Sequence, residues 1–226
     1  MAKILKLTLL NHLFYYTEIT GGGASTTLTG GFIGDLALTY AFANALRPME
    51  IQHRTQPNYG EIRDFGFYCT VARPLSRLMP TDIYTQNTLF TDGYPDLDSI
   101  DKSGKSPYKN YRQTQGYAIG SEFVALWLGS DEQLPSVVRV GRAKETLVKI
   151  EEIAPPQYAS FQKTYGDDFW LNAFSLRTIF DNTSKAVKVL SRTPKARLQF
   201  VVEQYNLMQH LSLTDVQEIF EPIFKN

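Results

Sequence analysis

The chain is 226 residues long and 43% apolar, with 23 Lys plus Arg against 23 Asp plus Glu. That length and composition give one domain over 1–226, or one domain with an insertion, and the neutral balance argues neither for nor against nucleic acid. No apolar run reaches the length of a membrane span, the N-terminus has no signal-peptide pattern, and the lone Cys69 suits a reducing cytosol and so a cytoplasmic protein.

Lys3 to Leu10 reads as a half-buried strand, with Leu5, Leu7 and Leu9 on one face and Lys6 and Thr8 on the other. An aromatic segment, LFYYTEI (Leu13 to Ile19), leads into a glycine-rich loop holding Gly21, Gly22, Gly23, Gly30 and Gly31 among Ser25, Thr26, Thr27 and Thr29. Such a loop either brings bare backbone N–H groups to a phosphate or is a flexible connector. Its spacing is not that of a triphosphate-binding loop. A helix, FIGDLALTYAF (Phe32 to Phe42), follows, with Asp35 as its expected N-cap and an end near Leu46, since Pro48 disfavours continuation.

Met49 to Glu61 reads as a polar connection and Ile62 to Ala72 as a second strand, with Phe65, Phe67, Cys69 and Val71 on one face. Within it, Arg63-Asp64-Phe65-Gly66-Phe67 partly matches the aromatic strand motif of RNA-recognition domains; buried core phenylalanines are the other reading. Thr81 to Gly120 is rich in turn chemistry and reads as a hairpin-like arm inserted in the domain, acidic first and basic second. A strand from Ser121, apolar on both faces, should be central. Val137 to Arg142 (VVRVGR) and Lys144 to Ile153 are further strands.

Ala154-Pro155-Pro156 breaks the sheet pattern, and Phe169, Ala173, Leu176 and Phe180 then form one stripe of a helix capped by Asp167 or Asp168. Val187 and Val189, a turn at Arg192 to Pro194, and Leu198, Phe200 and Val202 read as a hairpin. Val216, Ile219, Phe220 and Ile223 make a closing helical stripe, either core or a docking face. The sum is an α+β domain on an antiparallel sheet, with an inserted arm at about 81–120 and a C-terminal helix.

The neutral total hides two basic segments. Lys102 to Gly120 carries Lys105, Lys109 and Arg112 with Tyr108, Tyr111 and Tyr117 and no acid; Thr183 to Val202 carries Lys188, Arg192 and Lys195, again with no acid. Arg139, Arg142 and Lys144 form a third cluster, for which salt bridges to Glu145 or Glu151 are the alternative to phosphate binding. Basic segments with interleaved rings bind phosphates while stacking bases. The sequence holds no serine-nucleophile elbow, zinc-protease helix or paired-cysteine spacing, and His12, His53 and His210 form no constellation. We therefore expect no enzyme activity, no metal and no cofactor, with His210 a packed or capping residue.

Taken together, LFYYTEI, FIGDLALTYAF and VVRVGR followed by Lys144 resemble the Csc-one family, the Cas-five-type subunit of type I-D CRISPR surveillance complexes. The connection Gly21 to Gly31 is longer and richer in glycine than the family pattern. The resemblance implies a ferredoxin-like, RNA-recognition-type (RAMP) core with a thumb-like arm. It implies a noncatalytic subunit of the Cascade effector that grips the 5′ handle of the CRISPR RNA and caps the backbone filament of Cas-seven-type subunits. It further implies contact with the Cas-ten-type large subunit where the flanking motif (PAM) of target double-stranded DNA is read. On that basis Lys105, Lys109, Arg112, Arg139, Arg142, Lys144, Lys188, Arg192 and Lys195 are expected on phosphates. Tyr15, Tyr16, Tyr108 and Tyr111 are the stacking candidates, and Gly21, Gly22 and Gly23 would offer backbone N–H groups. The alternatives are a metal-independent repeat endoribonuclease on the same fold and a scaffold that binds only protein.

Overall fold

The computed structural model describes residues 2–14, 16–20, 25–47, 58–87, 90–91, 94–95, 111–129, 131–141, 145–202, 205–221 and 223. Strand β1 (Ala2–Leu9) lies inside the main sheet, and its alternation holds: Leu5, Leu7 and Leu9 are buried on one face and Ile4 on the other. Strands β2 (Tyr16–Thr20) and β3 (Ser25–Thr29) pair antiparallel. This corrects the loop reading of 25–29, because β-branched threonines favour an extended backbone once a partner strand supplies the ladder. Helix α1 (Asp35–Leu46) ends where expected, but Gly34 is its N-cap and Asp35 its first helical residue.

A short 3-10 helix (Tyr59–Phe65), capped by Asn58, takes the start of the expected second strand. The strand proper is β4 (Phe67–Cys69), followed by β5 (Arg73–Pro74). Phe67 is fully buried and stacked on Trp127 at 4.2 Å between ring centroids, and Phe65 packs edge-on to Tyr40. These phenylalanines are core, so the partial RNA-recognition motif carries no base-stacking pair.

The excursion that follows contains β6 (Tyr84–Asn87), β7 (Phe90–Thr91), β8 (Tyr94–Pro95) and β9 (Tyr111–Gln115). β9 pairs antiparallel with β6 and parallel with β3, giving a small sheet of order β2-β3-β9-β6. β10 (Glu122–Gly129) then returns to the main sheet between β1 and β4. With β11 (Val137–Val140) and β12 (Thr146–Ile153) the order is β11-β12-β1-β10-β4, antiparallel throughout, and β5 also pairs with β10. β10 is apolar on both sides because both faces are covered there. Phe123, Ala125 and Trp127 meet the α1 core, and Val124, Leu126 and Leu128 meet the C-terminal layer.

That layer comprises α2 (Pro155–Tyr165), β13 (Phe169–Asn172), α3 (Ala173–Thr178), α4 (Thr183–Arg192), β14 (Arg197–Val202), β15 (Tyr205–Leu211) and α5 (Leu213–Phe220). Three expectations are corrected in it. Pro155 and Pro156 open a helix, since the first turn needs no donated N–H from them. The stripe from Phe169 begins as a strand against β15, and the helix starts only after Asn172, whose side chain accepts the Phe174 N–H. Residues 183–192 are helical, with Ala186 and Val189 buried and Val187 exposed, so the hairpin is β14–β15. The stripe of α5 is core, and Ser212 caps it by accepting the Asp215 N–H.

Asp35 ties the layers together. Its carboxylate is fully buried and accepts from Tyr68 Oη at 2.6 Å, from Asn172 Nδ2 at 3.0 Å and from the Ser175 hydroxyl. Burial pushes its pKa up, partly offset by those donors, and burial beside Asp35 pushes the Tyr68 phenol up as well.

Candidate nucleic-acid interface

Three segments far apart in sequence meet at one end of the main sheet. Where β1 runs out, Leu10 donates its N–H to Leu147 O, and Asn11 continues the ladder with its side chain. Its Nδ2 donates to Glu145 O at 2.9 Å, and its Oδ1 accepts the Leu147 N–H at 2.6 Å. Thr146 Oγ1 donates to His12 O at 2.9 Å. On the other side, Leu13 exchanges both backbone hydrogen bonds with Tyr117, and Thr81 bonds Gly116 through both its N–H and its hydroxyl. The strap from Leu10 to Phe14 is therefore held between the β11–β12 turn and the root of the excursion.

Two glycines make that closeness possible. A Cβ on Gly116 would stand 2.1 Å from Leu13 O. Gly141 has φ +81°, which L side chains rarely adopt, and an added Cβ would lie 3.1 Å from Phe14 O. Phe14 itself sits edge-on to Tyr84, with centroids 5.5 Å apart, and to His12 at 6.4 Å. Apolar side chains stay in water around it: Met79, Tyr84, Leu10 and Ile119 are all exposed. Scattered exposed apolar residues are ordinary, but a group at one junction marks a contact surface.

Of the expected site residues, Arg139 is exposed on β11, between the buried Val138 and Val140, two residues from the turn that packs on the strap. Tyr16 opens β2, and Tyr111 and Arg112 open β9. Tyr16 is opposite Thr29, and Arg112 is beside Ser25 and Gln86. Those registers set Tyr16 and Arg112 about four residues apart along the small sheet, roughly 13 Å at strand rise, with Tyr16 at the strap end. Tyr15, Gly21, Gly22, Gly23, Lys105, Tyr108, Lys109, Arg142 and Lys144 lie outside the described residues.

The second basic segment is not brought to this corner. Lys188 and Arg192 are on α4 and Lys195 follows it, in the layer on the opposite face of the main sheet from α1. Lys188 and Lys195 are exposed. Arg192 is forked onto Glu218, with Nη1 to Oε1 at 3.0 Å, and lies 3.6 Å from Asp215. The pair holds the Glu218 carboxyl below its ordinary range and the guanidinium above its own.

Glu151, one alternative partner for the Arg139 cluster, pairs instead with Lys149 at 2.9 Å. His210 is exposed at φ +61°, its N–H donating to Asp168 Oδ1 at 2.9 Å and Nδ1 standing 3.3 Å from Oδ2. Asn11 and Ile119 escaped the sequence reading, which took Glu145 only as a salt-bridge partner for the Arg139 cluster; an asparagine just past a strand's alternation was the one signal for the first. Among the described residues no three His, Cys, Asp or Glu gather as a metal site, and no helix is long and apolar enough to cross a membrane.

An antiparallel main sheet covered on both faces, with a strand-built extension rooted at one corner among rings and an exposed arginine, defines the class as a mixed α+β protein. The family model described as type I-D CRISPR-associated protein Cas5/Csc1 matches residues 1–221, and the chain belongs to that family. No curated protein matches it. Among solved structures, it is similar to a chain of a CRISPR RNA-guided surveillance complex, with 11% identity, TM-score 0.40, and 98% of this chain and 99% of that one covered. It is also similar to a chain of the type III-B Cmr-beta complex bound to cognate target RNA and AMPPnP, with 8% identity, TM-score 0.42, and 99% and 90% covered. A third is Cmr4 (Cas7) of Pyrococcus furiosus, with 10% identity, TM-score 0.31, and 68% and 100% covered.

Proposed function

We propose that this protein is a noncatalytic, cytoplasmic RNA-binding subunit of a type I-D CRISPR Cascade effector, gripping the 5′ handle of the CRISPR RNA. The observation that carries the reading is the strapped corner, where the Tyr16 strand, the root of the arm and the Arg139 strand share one surface in a chain of the Cas5/Csc1 family. Single-stranded RNA suits such a surface, because unstacked bases lie on rings while phosphates meet Arg and Lys. In this reading the strands outside the main sheet are the thumb of a ferredoxin-like, RAMP-type core. Support for that core is a split β-α-β: α1 crosses from β1 to β4, and β10 lies between those two strands. The return from β10 to β12 runs through β11 with no described helix.

The subunit caps the Cas-seven-type filament and meets the Cas-ten-type large subunit where the flanking motif of double-stranded DNA is read. Base pairing by the guide selects the target, so each protein subunit recognises backbone and shape. The test is a salt titration of the purified protein on single-stranded repeat RNA. Engaging about three phosphates gives a log–log slope near −2, at roughly −0.7 per phosphate on a single strand. A flat dependence with negligible binding would return the protein to a protein-only scaffold. The same RNA, incubated without metal, stays intact; specific cleavage lost in His12→Ala would replace this reading with the endoribonuclease.

A further inference from the structure

We propose that the cleft at the strapped corner is a pocket for one unstacked nucleobase carrying an exocyclic amino group, an inference that rests on the RNA-binding reading. The cleft encloses about 380 Å³, within the size range of small-molecule sites. Its walls are apolar: Leu10, Phe14 and Ile119, of which Leu10 is 39% and Ile119 55% exposed. Asn11 and Thr146 complete its lining, each tied through its side chain to backbone partners.

Two polar side chains then remain to face a ligand, His12 and Glu145. Both are exposed, and neither makes a side-chain hydrogen bond or ion pair among the described residues. A free carboxylate beside an aromatic wall selects among bases by its lone pairs. It accepts N–H bonds from the amino groups of cytosine, adenine or guanine. Uracil has no amino group, and its one ring donor, N3–H, lies between two carbonyl oxygens that repel the acid. Arg139, on the adjoining strand, supplies the positive charge that brings a phosphate chain past the mouth.

The cleft's position supports a base over a protein side chain as occupant. It opens at the foot of the strap that leads into β2, on the corner that also carries β11 with Arg139, so in the RNA-binding reading a bound strand runs past its mouth.

The experiment measures binding of the full chain to the ten-nucleotide homopolymers rC10, rA10 and rU10 at several salt concentrations. Wild type prefers rC10 or rA10 over rU10 by about tenfold, the size of one good base contact. Glu145→Gln brings the three within about twofold, since an amide presents a donor and an acceptor that suit the uracil edge, while the salt slope stays unchanged. Ile119→Asp weakens all three. Steep salt-dependent binding with no base preference in wild type, or a preference surviving Glu145→Gln, overturns the pocket and leaves the RNA reading standing. Absence of salt-dependent binding to any of the three overturns both.

Discussion

Asp35 occupies the first turn of α1 without contact with water, and its three side-chain partners come from β4, β13 and α3. Replacing it with alanine removes the acceptor shared by the buried Tyr68 and Ser175 hydroxyls and the Asn172 amide. Asp35→Ala should therefore destabilise the fold by about 3 kcal/mol in urea denaturation, with Arg139 and the corner untouched. The Asp35→Asn variant separates charge from shape. Burial raises the folded-state pKa above its ordinary 3.8, so in that window the folded protein holds a proton that the unfolded chain has lost. Wild-type stability thus falls as pH rises through the window, and the Asn variant lacks that fall. The stability gap between the two should be widest in acid and shrink toward neutrality; a gap independent of pH would show that Asp35 ionises normally. An acid at a helix start was visible in the sequence, but a favourable N-terminal charge and a buried hub look alike there. The hub's partners Asn172 and Ser175 lie 137 and 140 positions away.

At the scale of elements, a basic side chain's meaning depends on whether its own fold has already paired it. Arg139 and Arg192 are equally basic in the sequence, yet Arg192 is locked to Glu218 across two helices while Arg139 has no partner among the described residues. Arg139→Glu should reduce the salt slope of RNA binding by about 0.7, the share of one phosphate on a single strand, and Arg192→Glu should leave it unchanged while loosening α4 from α5. Equal effects in the two titrations would contradict the placement of the RNA.

Strands β1, β10 and β12 and the stripe of α5 were readable because long apolar runs show their period plainly. Residues 183–192 were not. Val187-Lys188-Val189 alternates like a strand, and only the burial of Ala186 and Val189 on one side reveals the helix. Phe169–Asn172 failed the other way, since pairing with β15 overrode a helical spacing.

For the whole molecule, function reduces to one junction where the end of β1, the root of the extension and the β11–β12 turn are pinned together by Asn11, Gly116 and Gly141. The sequence showed the rings and charges of that junction as separate runs. It could not show that Leu13 pairs with Tyr117, or that the second basic segment folds away onto the helical layer. The first joins positions 13 and 117 and the second joins α4 to α5 through Arg192 and Glu218, and neither pairing has a local signal. The most direct test is ultraviolet crosslinking of this subunit to guide RNA within the assembled complex, with the crosslinked peptides sequenced by mass spectrometry. Crosslinks falling within 10–16, 111–119 and 139–147 are the predicted result. Crosslinks confined to 183–197, or absent from this subunit altogether, would contradict it.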